Sequence, residues 1–173
     1  YIKGSLILVL GTATLSILLG VSSAWLVACC KFPGRKFFEW ALILPLAIPT
    51  YIAAYSYFDL LEKLNPLLIW IRLNISTEVM ILMSDVIVYP VTIIVLASVL
   101  YPYVYLVARA AFTQQSNQFI EAAQTLGHGP HSTFWRIALP LARPAIVGGV
   151  SLVIMETLND YGAVKHFNIP TFT

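Results

Sequence analysis

EAAQTLGHGPHSTFWRIALP, residues Glu121 to Pro140, is the stretch that decides how the rest of the chain is read. Apolar segments long enough to cross a bilayer flank it on both sides, while the stretch itself is mixed, helix-capable and compatible with water. Its residues predict two short helices joined at a corner. Ser116 or Asn117 can cap the first, and Phe119, Ile120, Ala123 and Leu126 recur at helical spacing to give it one apolar side. Gly127 falls where a helix ends on a left-handed residue, and Pro130 follows three places later. A second helix carries Phe134, Trp135, Ile137 and Ala138, and Pro140 is expected to stop it. A helical corner between two membrane spans is suited to docking something in the water.

Glu121-Ala122-Ala123, three residues, Gly127, nine residues, Ile137, one residue, then Leu139-Pro140: seven positions stand at fixed spacing. The pattern resembles the cytoplasmic EAA loop of ABC-importer permeases, and it matches at every position. The resemblance implies an all-α, polytopic transmembrane helix bundle of type I with a cytoplasmic coupling loop at residues 116–140. It also implies that Glu121, Ala122, Ala123, Gly127, Ile137, Leu139 and Pro140 couple the permease to ATP-binding cassette ATPase subunits. A periplasmic solute-binding protein would deliver cargo, and no cofactor is implied.

Composition agrees with a membrane protein. The chain is 59% hydrophobic and 10% charged, with mean hydropathy +0.83, against about 25% charged residues in soluble domains. A net charge of +2 without a polybasic run excludes nucleic acid as a partner. Arg136 is the sole permanent cation of the corner, too few for a DNA-reading helix pair. Cys29 and Cys30 are adjacent, poorly placed to bridge each other, and read as small packing side chains. No Gly-rich phosphate loop with Lys occurs, so ATP hydrolysis belongs to a separate polypeptide and the chain is not itself an enzyme. His128, His131 and His166 all fall outside the spans and form no catalytic set. A start at Tyr1 and a stop at Thr173 without a polar tail predict a piece of a longer permease, and no cleavable signal peptide is recognisable.

Four spans are expected, at about 5–30, 40–58, 79–108 and 144–163. Ser5 to Cys30 carries no charged residue and at ~1.5 Å per residue outruns a ~30 Å hydrocarbon core. Pro33-Gly34 predicts a turn, and Pro45 with Pro49 predicts a kink or unwound turn in the second span. Residues 59–78 form a polar-flanked connection whose middle, Leu67 to Ile71, can dip into the interface. Asp85 reads as an interfacial or capping acid. Lys31, Arg35, Lys36, Arg109, Arg136 and Arg143 fall on one side of the membrane, against Lys3, Lys63, Arg72 and Lys165 on the other. The excess places the 116–140 loop in the cytoplasm of a bacterial inner-membrane protein. Tyr51, Tyr55, Tyr57 and Phe58 suit one aromatic belt, and Tyr101, Tyr103 and Tyr105 the other. Gly11, Gly20, Gly148 and Gly149 are read as close-packing positions between helices.

Glu156 and Asp160, one helical turn apart with Asn159 beside them, have two readings. Counted from Ala145, Glu156 falls ~17 Å along the helix, near mid-bilayer, where an acid must face protein or water; the group then lines a pathway suited to a cation. Alternatively the span ends near Met155 and both acids sit at the outer interface. Outside the loop, Leu44–Tyr57, Tyr101–Phe112 and Met155–Thr173 resemble the first half of ferric-iron importer permeases, which implies iron(III) as cargo. Thiamine, phosphonate and sulfate importers share the loop and parts of these stretches. An ATP-independent transporter or a membrane scaffold subunit is the alternative from another class.

Overall fold

The computed structural model describes residues 2–63, 77–114 and 129–159. The first helix of the corner, with Glu121, Ala122, Ala123 and Gly127, lies outside them, as do Leu67 to Ile71 and everything from Asp160 onward. Among the described residues every regular element is a helix, and the molecule is an all-α transmembrane bundle. Three helical stretches are long and apolar enough to cross a membrane: Ile2–Cys29, Tyr89–Gln114 and Phe134–Asn159.

Helix α1 spans Ile2–Cys29. Its buried positions include Gly4, Leu8, Thr12, Ser16, Gly20 and Ala24, a row of mostly small residues at every fourth place. Such a row runs obliquely on the helix surface and lets another helix cross it closely. Thr12 and Ser16 bury hydroxyls that have no hydrogen-bond partner among the described residues. At this crossing small size outranks polar satisfaction.

Cys29 and Cys30 are half-buried free thiols at the end of α1. Pro33-Gly34 turns the chain, and Gly34 takes φ +85°, a left-handed conformation that side chains disfavour. Helix α2, Arg35–Ala41, follows, then a 3-10 turn at Leu44–Ala47 and helix α3 at Thr50–Lys63. Ile48 is extended, at φ −93° and ψ 116°, because Pro49 excludes the helical conformation from the residue before it. The segments Arg35–Ala47 and Thr50–Tyr57 therefore meet at 89°, so this apolar stretch is a broken helix and not one straight rod.

Helix α4, Thr77–Gln114, is the centre of the bundle and runs unbroken past Pro90 and Pro102. It is buried almost all round from Val95 to Phe112, which is how a helix apolar on every side is accommodated. It packs on α1 most extensively, and next on helix α6, Leu139–Asn159. Helix α6 turns Ala142, Ile146, Gly149, Val153 and Thr157 inward, a stripe at spacings of three and four.

Val104 of α4 is the pivot. Gly20 of α1 brings its Cα so close that a Cβ there would stand 2.8 Å from Val104 Cβ and 3.0 Å from both Tyr101 O and Tyr105 N. From the other side, a Cβ on Gly149 of α6 would stand 3.0 Å from Val104 Cα and 2.6 Å from Val107 Cγ2. A Cβ on Gly11 would meet only the side chain of Ile93, nearest at its Cδ1 tip. Gly148 departs from the sequence expectation: nothing lies within 4 Å of a Cβ there. A 100° step along a helix suffices to turn one glycine of the pair outward.

Candidate functional site

The described part of the corner begins at Gly129, and its second helix does not stop at Pro140. A short helix, α5 at Pro130–Thr133, opens into a π turn at Phe134–Ala138 that passes straight into α6. The Leu139 N–H bonds back to Phe134 O, five residues away. The wider turn lets the chain carry Pro140, which has no N–H to give, without the ring clash that breaks a regular helix. Pro144 is likewise inside α6. Ile137, Leu139 and Pro140 are thus half-buried residues of one continuous helix leading into the membrane. Thr133 steadies its start, donating through both N and Oγ1 to Gly129 O, at 3.0 and 3.1 Å.

Three aromatic rings pin this helix to the bundle. Trp25 of α1 lies 5.4 Å from Phe112 and 4.9 Å from Phe134, and those two are 6.4 Å apart, ring centre to ring centre. Phe112 is two residues from the end of α4, and Phe134 follows close on Gly129. Both ends of the 115–128 stretch are therefore tied to one Trp. Trp135 and Arg136 point outward from the π turn.

A polar contact lies close by. Arg109 of α4 forms an ion pair with Glu39 of α2, Nη2 to Oε1. One turn earlier on α4, the Tyr105 hydroxyl donates to the Glu39 backbone carbonyl at 3.2 Å. That carbonyl is free because α2 ends in a tightened turn: Leu42 N bonds Phe38 O and Ile43 N bonds Trp40 O, passing over Glu39. Tyr105 is 0% exposed, so it is no part of an aromatic belt. Its ring is a structural post inside the bundle, while Tyr101 and Tyr103 are half-buried. Arg35, one of the cations counted for orientation, reaches Ala28 O at 3.1 Å and caps the last turn of α1. Pairing across 70 residues leaves no local signal, whereas α1's fourfold row of small residues is a local one.

At the other end of α6, Glu156 is half-buried, Asn159 exposed, and Asp160 outside the described residues. Glu156 is within electrostatic reach of Tyr103 on α4, so it sits beside the inward stripe. Along the continuous helix it is ~25 Å beyond Leu139, at ~1.5 Å per residue. Among the described residues no three His, Cys, Asp or Glu side chains converge as metal ligands.

This arrangement, with residues 115–138 joining the two spans α4 and α6, coincides with a sequence match. Residues 7–167 fit the family described as binding-protein-dependent transport system inner membrane component. The chain belongs to that family. It is similar to the Fe(3+)-transport system permease protein FbpB 2 of Haemophilus influenzae, 30% identical over 158 residues, 91% of this chain and 27% of that one. It is also similar to the probable sulfate transport system permease protein cysT of Chlorokybus atmophyticus, 29% identical over 155 residues, 84% of this chain and 48% of the relative. The molybdenum transport system permease protein ModB of Escherichia coli is 28% identical over 161 residues, 90% of this chain and 66% of its own. The chain thus spans about a quarter of the iron relative and about half of the sulfate relative. As a member of this inner-membrane family with several apolar helices, it is a multi-pass membrane protein.

Proposed function

We propose that the chain is the central part of one half of an ATP-driven, binding-protein-dependent import permease of a bacterial inner membrane. The single observation that carries this is the family match over residues 7–167, which encloses the whole 121–140 stretch. In this reading the corner faces the cytoplasm, and Glu121, Ala122, Ala123, Gly127, Ile137, Leu139 and Pro140 dock it on a separate ATPase. A soluble binding protein outside the membrane hands cargo to the opposite mouth. The aromatic tie at Trp25 supports the reading, because loop displacement then reaches α1, α4 and α6 together.

For cargo we propose iron(III), supported by the iron relative and by negative charge at Glu156, with Asn159 and Asp160 following on the same helix. A pathway acid raises the local concentration of a cation and repels an oxyanion. The second reading, an oxyanion such as sulfate or molybdate, rests on the sulfate and molybdenum relatives. Uptake of labelled iron(III), sulfate and molybdate by cells carrying the complete gene, its ATPase and its binding protein separates the two. Glu156→Gln with Asp160→Asn is expected to lower iron uptake about tenfold, the effect of losing ~1.4 kcal/mol of attraction, with the ATPase still co-purifying. Unchanged iron uptake would move both acids to the interface. Uptake of an oxyanion instead would settle cargo against iron.

A further inference from the structure

The contact between α2 and α4 has a consequence for how such a permease converts loop movement into pore movement. Helix α2 buries none of its own side chains fully, yet it leads into the 3-10 turn and the 89° bend of the broken helix. Helix α4, by contrast, leads into the 115–128 stretch. Both polar ends of one residue, the carbonyl and the carboxylate of Glu39, are held by α4, through Tyr105 and Arg109. Tyr105 and Arg109 are one turn apart on the same face, and Phe112 of the aromatic tie comes less than a turn later. The last turns of α4 thus grip the broken helix with one face and the corner with the next residues along.

We propose that Glu39, Arg109 and Tyr105 are positioning residues that form a latch, making the broken helix Arg35–Tyr57 move with the loop-bearing end of α4. The latch rests on the reading of this chain as an ATP-coupled permease, and it sets how much cargo crosses per ATP hydrolysed. An anchor that served folding alone would change the amount of assembled transporter but not that ratio.

The test uses the complete permease with its ATPase and binding protein in liposomes, with ATP hydrolysis and labelled cargo uptake read from the same vesicles. Glu39→Gln is expected to lower the uptake-to-hydrolysis ratio about fivefold, the upper end for a partly exposed ion pair, with hydrolysis little changed. Arg109→Glu is expected to lower it further, since it sets two carboxylates together. Combining Arg109→Glu with Glu39→Arg is expected to restore at least half of the ratio, the coupling expected of a direct pair. If the charge variants fail to assemble, Tyr105→Phe, which removes one hydroxyl and no bulk, is expected to lower the ratio about twofold, within the range for a single hydrogen bond. A wild-type ratio in Glu39→Gln or in Tyr105→Phe, or a swap no better than Arg109→Glu alone, would overturn the latch. A wild-type transporter with no ATP-dependent uptake is a different failure: it removes the permease reading and the latch with it.

Discussion

Gly20→Ala and Gly149→Ala are expected to destabilise the bundle, while Gly148→Ala, one residue from the second of them, is expected to stabilise it. The sign follows from what each new methyl meets. At Gly20 it would stand 3.0 Å from two backbone atoms of α4 and 2.8 Å from Val104 Cβ. None of these can swing away, so α1 and α4 must separate along their whole crossing. Overpacking of this kind costs about 1–3 kcal/mol, and the lost dispersion contacts are what hold membrane helices together. Gly149→Ala meets Val104 Cα at 3.0 Å and the movable methyl Val107 Cγ2 at 2.6 Å, so its cost should be smaller. Gly11→Ala meets chiefly the end of Ile93 and should be smaller again. Gly148→Ala has open space and gains about 0.5–1 kcal/mol of helix preference. The order is read from thermal midpoints of detergent-solubilised protein. A Gly20→Ala variant that melts at or above wild type would contradict the crossing described here.

The second large effect concerns the loop. Gly127→Val is expected to abolish cargo uptake, with at least a tenfold loss, while leaving membrane insertion intact. Gly127 stands at the glycine of the EAA pattern, where the sequence predicts a helix that ends on a left-handed residue. A left-handed turn costs a residue with a side chain about 1–2 kcal/mol, and a β-branched one more. Under the proposed function, the valine therefore reshapes the surface that docks on the ATPase without touching the spans. Gly129→Ala is the matching control, because Gly129 is exposed and has open space around it. Normal uptake by Gly127→Val would remove the corner from the coupling mechanism.

How much of this was legible in the chain depends on whether the determinant is local. A charge-free run from Ser5 to Cys30, a turn at Pro33-Gly34, and an interruption around Pro45 and Pro49 each follow from residues adjacent in sequence, and all-α membrane architecture follows with them. Pro140 did not behave as its local sequence predicts. Its passage needs the π turn at Phe134–Ala138, and Phe134 is fixed there by Trp25 and Phe112, more than 100 and more than 20 residues distant respectively. Tyr105 beside Tyr101 and Tyr103 resembles an interfacial belt, and only the arrival of Glu39 shows why the ring is buried. Gly148 and Gly149 are indistinguishable as letters, and the packing of α6 on α4 chooses between them. At the far end of α6, the spacing of Glu156, Asn159 and Asp160 is legible in the sequence, while their depth depends on where the helix enters the membrane, which no local residue fixes.

The central claim is that this chain works as part of a permease driven by a separate ATPase through the 121–140 corner. The most direct measurement is accumulation of labelled iron(III) in liposomes holding the complete permease, its ATPase and its binding protein, with and without ATP. The account predicts accumulation only when all three proteins and ATP are present. Accumulation that persists without ATP, or without the ATPase, would contradict it and identify an ATP-independent transporter.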